Sequence, residues 1–202
     1  YLFNGSYRRD GSSAFSYTGN QWQNFYSVGA GWLISEEEFM KDISWLDMLK
    51  LKGSWGTLGN QNLSSAYPAE PLLKNAFSAV FGKPSIIYPG YQLAYLPNPD
   101  LRWEKVEAWE VGFETNLLRN RLHFEGVFYK KNTKDLLAEV PGIAGTIPGI
   151  GNLGEIRNSG VELAATWRDQ IGDWGYSISA NLTTISNKVK SLVQEGYSII
   201  AG

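Results

Sequence analysis

The sequence predicts an all-β protein built from antiparallel strands, and three observations carry that prediction. Apolar and polar residues alternate with a period of two through several segments of about ten residues, as in strands that present two different faces. The 202-residue chain is rich in glycine (22 residues) and aromatic side chains (14%), while only 19% of its residues are charged. That composition is typical of β-proteins with many turns. No run of 18 apolar residues occurs, so the sequence predicts no transmembrane helix.

The clearest element is a long hairpin within residues 98–137, with its turn at 119–121. Before the turn, one face carries the larger side chains: Trp109, Val111, Phe113, Thr115 and Leu117. After the turn, the apolar set alternates with a mostly polar one: Leu122, Phe124, Gly126 and Phe128 against His123, Glu125, Val127 and Tyr129. A helix would put Trp109 and Phe113 on one face together with Gly112 and Asn116, which is not an apolar stripe. The pattern therefore predicts strand, tight turn, strand.

The rest of the chain follows the same alternation between strands and connections. Further strands are predicted at 1–8, 25–33, 49–58, 160–167 and 174–183, and a turn at 168–173. Ser35 followed by three glutamates predicts a helix N-cap, with a short helix or turn to about Met48. The segment 59–103 is predicted to be one long irregular loop, and 140–153 a Gly/Pro-rich loop. Loops of this length are usually functional or disordered.

Alternation alone does not decide which face meets water, because a soluble sandwich and a membrane barrel share it. Three features favour the barrel. The strands are longer than the usual five or six residues, and short connections alternate with long ones. Trp167 and Trp174 flank a short turn, whereas Trp55 and Trp109 lie near the long-loop ends, as in two interfacial girdles. We therefore predict an antiparallel transmembrane β-barrel segment of about seven strands.

A series of short motifs then resembles the barrel region of the SusC/RagA-type TonB-dependent outer-membrane transporters. The motifs are Arg-Asp-Gly-Ser-Ser at 9–13, Gly-Trp-Leu-Ile-Ser-Glu-Glu at 31–37, Leu-Lys-Gly-Ser-Trp-Gly at 51–56, Gly-Asn-Gln at 59–61, Asn-Pro-Asp-Leu-Arg-Trp-Glu at 98–104, Asn-Arg-Leu at 120–122, Tyr-Lys-Lys at 129–131, Asp-Leu-Leu at 135–137 and Asn-Ser-Gly-Val-Glu at 158–162. Each motif is weak alone, but they occur in the family's order and span most of the chain.

This resemblance implies a location and partners. It implies an outer-membrane protein of about 22 strands around a plug, of which residues 1–202 would be an internal barrel part. No signal sequence, TonB box, plug domain or terminal aromatic-ended strand is visible in the sequence. The resemblance further implies import of glycans or peptides, a SusD-like surface lipoprotein over the loops, and TonB acting through a segment absent here. The loop 59–103 would then be extracellular, and the lipid bilayer would surround the strands.

Catalytic and cofactor chemistry finds little support in the sequence. The Gly-x-Gly-x-x-Gly match at 149–154 lacks the preceding strand and following helix of a dinucleotide site, so we interpret it as a flexible loop. His123 and Glu125 share a face, but one histidine without cysteine does not complete a typical zinc site. Glu110 and Glu114 are about 13 Å apart along a strand, too far for a glycosidase pair. We predict no enzyme activity, metal or cofactor, and the net charge of −2 suggests no nucleic-acid partner.

Four tyrosines of the long loop are the candidate ligand or partner contacts, because aromatic rings offer flat apolar area with a polar tip. They are Tyr67, Tyr88, Tyr91 and Tyr95. The same rings could instead pack the loop against itself. The alternative to a transporter is a secreted all-β carbohydrate-binding module that uses these aromatics as its platform.

Overall fold

The computed structural model describes residues 1–63, 68–95, 97–140 and 148–192, and strands dominate them. In these ranges the strands are β1 (Leu2–Gly11), β2 (Trp22–Leu33), β3 (Leu46–Asn60), β4 (Leu73–Phe81), β5 (Ile86–Leu93), β6 (Glu104–Leu117), β7 (Leu122–Lys134), β8 (Leu137–Val140), β9 (Gly149–Asn152), β10 (Glu155–Ile171) and β11 (Trp174–Ser191). Short 3₁₀ turns occur at Ser13–Phe15, Ile34–Glu36 and Glu38–Met40. In the described ranges, no helix is long and apolar enough to cross a membrane.

Seven strands form one antiparallel sheet in the order β1-β2-β3-β6-β7-β10-β11. The remaining four form two separate hairpin pairs, β4 with β5 and β8 with β9. Consecutive strands of the large sheet are also neighbours, apart from the insertion of these hairpins. The prediction of an all-β antiparallel fold with about seven principal strands is confirmed. In this chain the sheet is open, with β1 and β11 at its edges.

The strand register joins the separately predicted apolar faces into one surface. Leu51 lies opposite both Trp32 and Phe113, and Phe128 lies opposite both Val111 and Val161. Directly opposed residues share a face, so these rows continue across the sheet. We call this side the apolar face; it comprises Tyr26, Val28, Trp32, Leu49, Leu51, Trp55, Trp109, Val111, Phe113, Leu122, Phe124, Phe128, Val161, Leu163, Trp167, Ile178 and Leu182.

The apolar face carries large side chains that the chain itself leaves uncovered. Val111 is 63% exposed and Leu182 is 58% exposed, although both lie within long strands. Soluble monomers rarely expose apolar patches of more than a few hundred Å². The opposite side, which we call the polar face, carries Lys50, Lys52, Ser54, Glu110, Glu114, Glu125, Glu162 and Asn181. The apolar face is therefore stabilised by surroundings that exclude water, whereas the polar face is stabilised by contact with water.

The connections fall into two groups at opposite ends of the sheet, because each antiparallel strand reverses direction. Segment 12–21 and the described parts of segments 61–103 and 135–154 lie at one end, which we call the long-connection end. Segments 34–45, 118–121 and 172–173 lie at the other, the short-turn end. The predicted turn at 119–121 is confirmed, and Leu118, Arg119 and Asn120 adopt positive φ there.

Among the shorter elements, the predicted N-cap was wrong. Ser35 lies inside the 3₁₀ turn Ile34–Glu36, whose N-cap is Leu33 with no side-chain cap. The predicted short helix or turn is present as the 3₁₀ turns Ile34–Glu36 and Glu38–Met40, but it ends before Met48 because β3 begins at Leu46. The predicted turn at 168–173 is shorter than expected: β10 runs to Ile171 and only 172–173 connect it to β11.

The described parts of the long loops contain hairpins that the sequence did not predict. The connection after β3 begins at residue 61 rather than 59 and contains the hairpin β4–β5, so it is not irregular throughout. Its strands carry large apolar residues on both faces, which removes the period-two contrast that identifies a strand. Within the predicted loop 140–153, Gly149–Asn152 forms β9 and pairs with β8. These strands have four residues each, too few for a periodic signal.

Candidate functional site

The connections at the long-connection end pack together around a small buried cluster. We call it the rim cluster; its buried members are Phe15, Phe25, Ala69, Leu101 and Trp103, with Leu63, Leu137 and Ile150 packed against them. The Trp103 ring packs at a tilt of 34° against the Phe15 ring and meets Phe25 edge-on, with centroid distances of 5.3 Å and 6.0 Å. Each of the three long connections contributes at least one side chain. The loops of this end therefore form one packed layer.

Segment 98–104 links the first long connection to the second through hydrogen bonds. Thr18 Oγ1 donates to the Leu101 carbonyl at 2.8 Å, and Asn20 Nδ2 donates to the same oxygen at 3.1 Å. In return, Trp103 Nε1 donates to the Asn20 carbonyl at 3.0 Å. The partners are more than 80 residues apart in sequence. These bonds satisfy polar groups that would otherwise be costly beside a buried aromatic cluster.

Arg102 links the same segment to the third long connection. Its backbone N–H donates to Asn152 Oδ1 at 3.0 Å, and Asn152 Nδ2 donates back to the Arg102 carbonyl at 2.8 Å. The guanidinium Nη2 donates to Asp135 Oδ1 at 2.7 Å. This hydrogen bond raises the pKa of Arg102 above its ordinary value, against the opposing effect of partial burial. The Asp135 carboxylate and the Asn152 side-chain amide therefore both attach segment 98–104 to the third long connection.

Glu104, the first residue of β6, completes the network and is only 7% exposed. Its Oε1 accepts a hydrogen bond from Asn60 Nδ2 at 3.1 Å, at the end of β3. Its Oε2 accepts from the Leu137 N–H at 3.1 Å, at the start of β8. The carboxylate therefore holds together the points where the second and third long connections leave the sheet. Sequence reasoning identified 98–104 as a motif but missed this role, because the partners lie far away in sequence.

The hairpin β4–β5 exposes apolar side chains on both of its faces. One face carries Phe77, Phe81, Ile86 and Tyr88, and the other carries Leu73, Val80, Ile87 and Tyr91; all eight are at least half exposed. The base of the hairpin is closed by the Ala94 N–H donating to the Leu72 carbonyl at 2.8 Å. An isolated two-stranded hairpin is marginally stable in water. Two uncovered apolar faces make this hairpin the strongest candidate in the described chain for contact with another molecule.

The predicted tyrosines that fall in the described ranges do not share one exposed face. Tyr67 lies outside the described residues. Tyr88 (50% exposed) and Tyr91 (59% exposed) lie on opposite faces of the hairpin. Tyr95 follows the hairpin and is 8% exposed, so its ring is packed rather than presented.

The polar face holds paired charges rather than an isolated reactive group. Lys52 Nζ lies 2.6 Å and Lys50 Nζ 3.4 Å from the Glu114 carboxylate. His123 Nδ1 is 2.7 Å from Asn116 Oδ1. A depression of about 420 Å³ lies beside the two lysines, lined in part by the glycines Gly29, Gly31 and Gly112. In the described ranges, no three acidic, histidine or cysteine side chains are grouped as a metal site would need.

The glycine motif at 149–154 is part of a strand rather than the flexible loop we predicted. Gly149–Asn152 pairs with β8, and the chain continues directly into β10. A dinucleotide fingerprint requires a helix at that point, whose N-terminus receives the pyrophosphate. The motif instead supplies small residues near the rim cluster, where Ile150 packs.

Comparison with known proteins gives a consistent result along the chain. The family model described as TonB dependent receptor-like, beta-barrel matches residues 1–199. The TonB-dependent receptor SusC of Bacteroides thetaiotaomicron is 33% identical over 100% of the chain, and the TonB-dependent receptor P3 of Formosa agariphila is 32% identical over 95%. The chain spans 21% and 19% of the lengths of these two relatives.

Solved structures agree with the sequence comparison. The RagAB peptide importer in its closed-closed state superimposes with a TM-score of 0.79 over 98% of the chain, at 28% identity, and 21% of that chain is covered. Its open-open state gives 0.78 over 96% of the chain, at 29% identity and 21% coverage of that chain. The predicted resemblance is therefore confirmed. This chain belongs to the TonB-dependent receptor-like β-barrel family and is of the SusC/RagA type.

Proposed function

We propose that residues 1–202 form part of the barrel wall of a TonB-dependent transporter in the bacterial outer membrane. The observation that carries this proposal is the continuous apolar face set back to back with a charged polar face. In hydrocarbon, large outward side chains are stabilised, while every backbone N–H and C=O must be paired within the sheet. Between its two edge strands, the seven-stranded sheet has apolar side chains on one face and a backbone that is hydrogen-bonded from strand to strand. Coupling to TonB is assigned to parts of the transporter outside residues 1–202.

The polar face would line the lumen. The ion pairs of Glu114 with Lys50 and Lys52 keep these charges compensated in a wet interior. A secreted carbohydrate-binding module, the alternative from sequence, would leave the apolar face in water, which is unfavourable. The transporter accounts for both faces, and no arrangement of side chains in the described ranges favours catalysis.

The long-connection end is proposed to be extracellular, and the short-turn end periplasmic. Outer-membrane barrels have short periplasmic turns and longer outer loops. The rim cluster would then support the outer opening, and the hairpin β4–β5 would contact a SusD-like lipoprotein or the cargo through Tyr88, Tyr91 and their apolar neighbours. Glycans or peptides are the proposed cargo class, since the resemblance to SusC/RagA-type transporters implies either and the matched solved structure is a peptide importer.

Epitope tags in the full-length protein test the orientation. A tag at Ser85, in the β4–β5 turn, should be labelled by antibody on intact cells, and a tag at Asn120, in the β6–β7 turn, should not. Labelling at Asn120 alone would reverse the orientation and contradict the proposal.

Excision of the hairpin tests its role as a contact surface. Residues 73–93 can be replaced by Gly-Ser, because the Ala94 N–H already bonds the Leu72 carbonyl at 2.8 Å. The barrel should still assemble, while uptake and lipoprotein association fall. A control that replaces only residues 82–85 by Gly-Ser keeps both strands and should retain more of both activities. If uptake and association survive the excision, the hairpin is only a spacer.

A further inference from the structure

We propose that the long-connection end of the apolar face carries a binding surface for the phosphate groups of lipid headgroups. The surface consists of basic side chains, which we call the basic belt: Arg9, Lys105, Lys130, Lys134, Arg157 and Lys188. The inference rests on the proposed barrel-wall function, because it requires the apolar face to meet a bilayer. It adds a specific ligand chemistry to the outside of the wall.

The register places these residues on the outward side. Lys130 lies opposite Trp109, which belongs to the apolar face. Lys105 is four residues before Trp109 on β6 and therefore has the same orientation. It lies opposite Lys134 on β7. All three lysines point away from the polar face, at the end of their strands next to the long connections.

The same register continues the belt across β10 and β11. Arg157 lies opposite Asn132 of β7 on one side and Lys188 of β11 on the other. Asn132 is two residues from Lys130 and so faces outward with it. At the other side of the sheet, Arg9 lies 5.2 Å above the ring of Trp22, cation to centroid. The basic belt therefore includes side chains from β1, β6, β7, β10 and β11.

The belt contains like charges in direct opposition, which the chain compensates only in part. Lys105 faces Lys134, and Arg157 faces Lys188; such pairs on neighbouring strands are destabilising. Glu107 lies 3.6 Å from Lys134 Nζ, but its other carboxylate oxygen accepts a hydrogen bond from Trp55.

The remaining compensation is also small. Arg157 Nε donates to a neutral partner, Asn132 Oδ1, at 2.8 Å. Glu155 is the second carboxylate on this outward end. Within the described ranges, neither Lys105 nor Lys130 forms an ion pair. Six cations therefore face two carboxylates, and an external anion between the opposed pairs would lower the repulsion.

The position of the belt indicates which anion. Along the apolar face, the described strands carry no charge between this end and Asp169, which pairs with Arg121 at the short-turn end. Trp55 and Trp109 lie in the same cross-strand row as Lys130, where the apolar rows end, as tryptophans do at a membrane–water interface. Lysine and arginine side chains immediately beyond that interface reach headgroup phosphates, and charge-assisted hydrogen bonds to phosphate are strong. The geometry therefore fits a phosphate-bearing lipid rather than a soluble anion.

The test uses the full-length transporter reconstituted in phosphatidylcholine bilayers with spin-labelled lipids. The ratio of association of phosphatidic acid to phosphatidylcholine is measured for the wild type and for the triple variant Lys105→Ala/Lys130→Ala/Lys134→Ala. A second triple variant, Lys41→Ala/Lys52→Ala/Lys131→Ala, removes the same charge elsewhere. Lys131 is the matched control for Lys130, because adjacent strand residues face opposite sides.

We expect the wild type and the control to prefer phosphatidic acid by about fivefold or more, and the belt variant to lose that preference. High salt should weaken the preference, as for any surface charge interaction. Equal preference in all three proteins would overturn the inference. Loss of preference on replacing chloride by inorganic phosphate at constant ionic strength would also overturn it, because the surface would then bind a free anion. If the belt variant loses lipoprotein association but keeps its lipid preference, an acidic protein surface is the occupant and the inference is wrong.

A topology control separates this inference from the proposed function. The Ser85 and Asn120 tags are tested for access from one side of the same bilayers. Tags accessible from the same side would contradict the barrel-wall function and, with it, the lipid site. If the two tags are accessible from opposite sides but phosphatidic acid is not preferred, the lipid site is contradicted and the barrel-wall function is not.

Discussion

Trp55 and Trp109 lie directly opposite each other on β3 and β6, with ring centroids 5.9 Å apart. The Trp55 indole N–H donates to Glu107 Oε1 at 3.0 Å. Each ring is therefore next to apolar neighbours on one side and polar groups on the other, the environment that tryptophan prefers at a membrane interface. The pair marks where the apolar zone of the sheet ends.

Arginine substitutions on neighbouring residues of β11 should distinguish the two faces. Leu182 lies opposite Leu163 on the apolar face, whereas Asn181 lies opposite Ala164 on the polar face. In the full-length barrel, Leu182→Arg should cost about 2–4 kcal/mol of unfolding free energy, since the charge would lie near the bilayer midplane. Asn181→Arg should cost much less, because its side chain would reach a wet lumen. Urea unfolding in bilayers measures both, and equal costs would reject the assigned faces.

Removing the Glu104 carboxylate should loosen the long-connection end without disassembling the sheet. Glu104→Ala would leave the Asn60 amide and the Leu137 N–H without their acceptor, at a cost of about 1–3 kcal/mol for a buried unsatisfied group. Hydrogen exchange should increase at 135–140 and around residue 60, while the centre of β6 stays protected. Glu110→Ala, six residues further along the same face of β6 and away from the long-connection end, is the matched control. Unchanged exchange at 135–140 in Glu104→Ala would remove the carboxylate from the role assigned to it.

Residues 1–202 expressed alone should not give a stable monomer. β1 and β11 are both unpaired on one side in this chain, and the apolar face is uncovered. Open strand edges and large apolar patches promote association. Size-exclusion chromatography after refolding without detergent should show aggregates. A monomer that melts cooperatively in water would instead support a soluble sandwich.

The large sheet was predictable because most of its strands alternate with a period of two, as Val111 and Phe113 on β6 illustrate. In the structure, the strands are longer than predicted, and their pairing continues the same faces. Lys130 therefore lies on the same side of β7 as Phe128. The hairpin β4–β5 was not predictable, because Phe77 and Val80 are apolar on opposite faces and leave no alternation.

The candidate site was less accessible to sequence reasoning than the sheet. The contact of Phe15 with Trp103 joins segments that only the folded sheet brings together. The tyrosines of the long connection were chosen from composition alone. In the structure Tyr95 is buried, whereas Tyr88 and Tyr91 are exposed on opposite faces of the hairpin. The alternation of neighbouring residues predicts which side chains share a face of a strand. The packing of the loops depends instead on contacts between residues that are distant in sequence.

Cysteine accessibility along β10 tests most directly whether one face meets lipid and the other meets water. The 202-residue sequence has no cysteine, so each introduced thiol is unique in this part of the transporter. Single cysteines replace, in turn, the six consecutive residues 161–166 of the full-length protein, with any cysteines elsewhere removed, and a water-soluble maleimide is added to the membranes. We predict labelling at Glu162, Ala164 and Thr166 and protection at Val161, Leu163 and Ala165, a period of two. Uniform labelling, or labelling of the second set alone, would contradict the barrel-wall account.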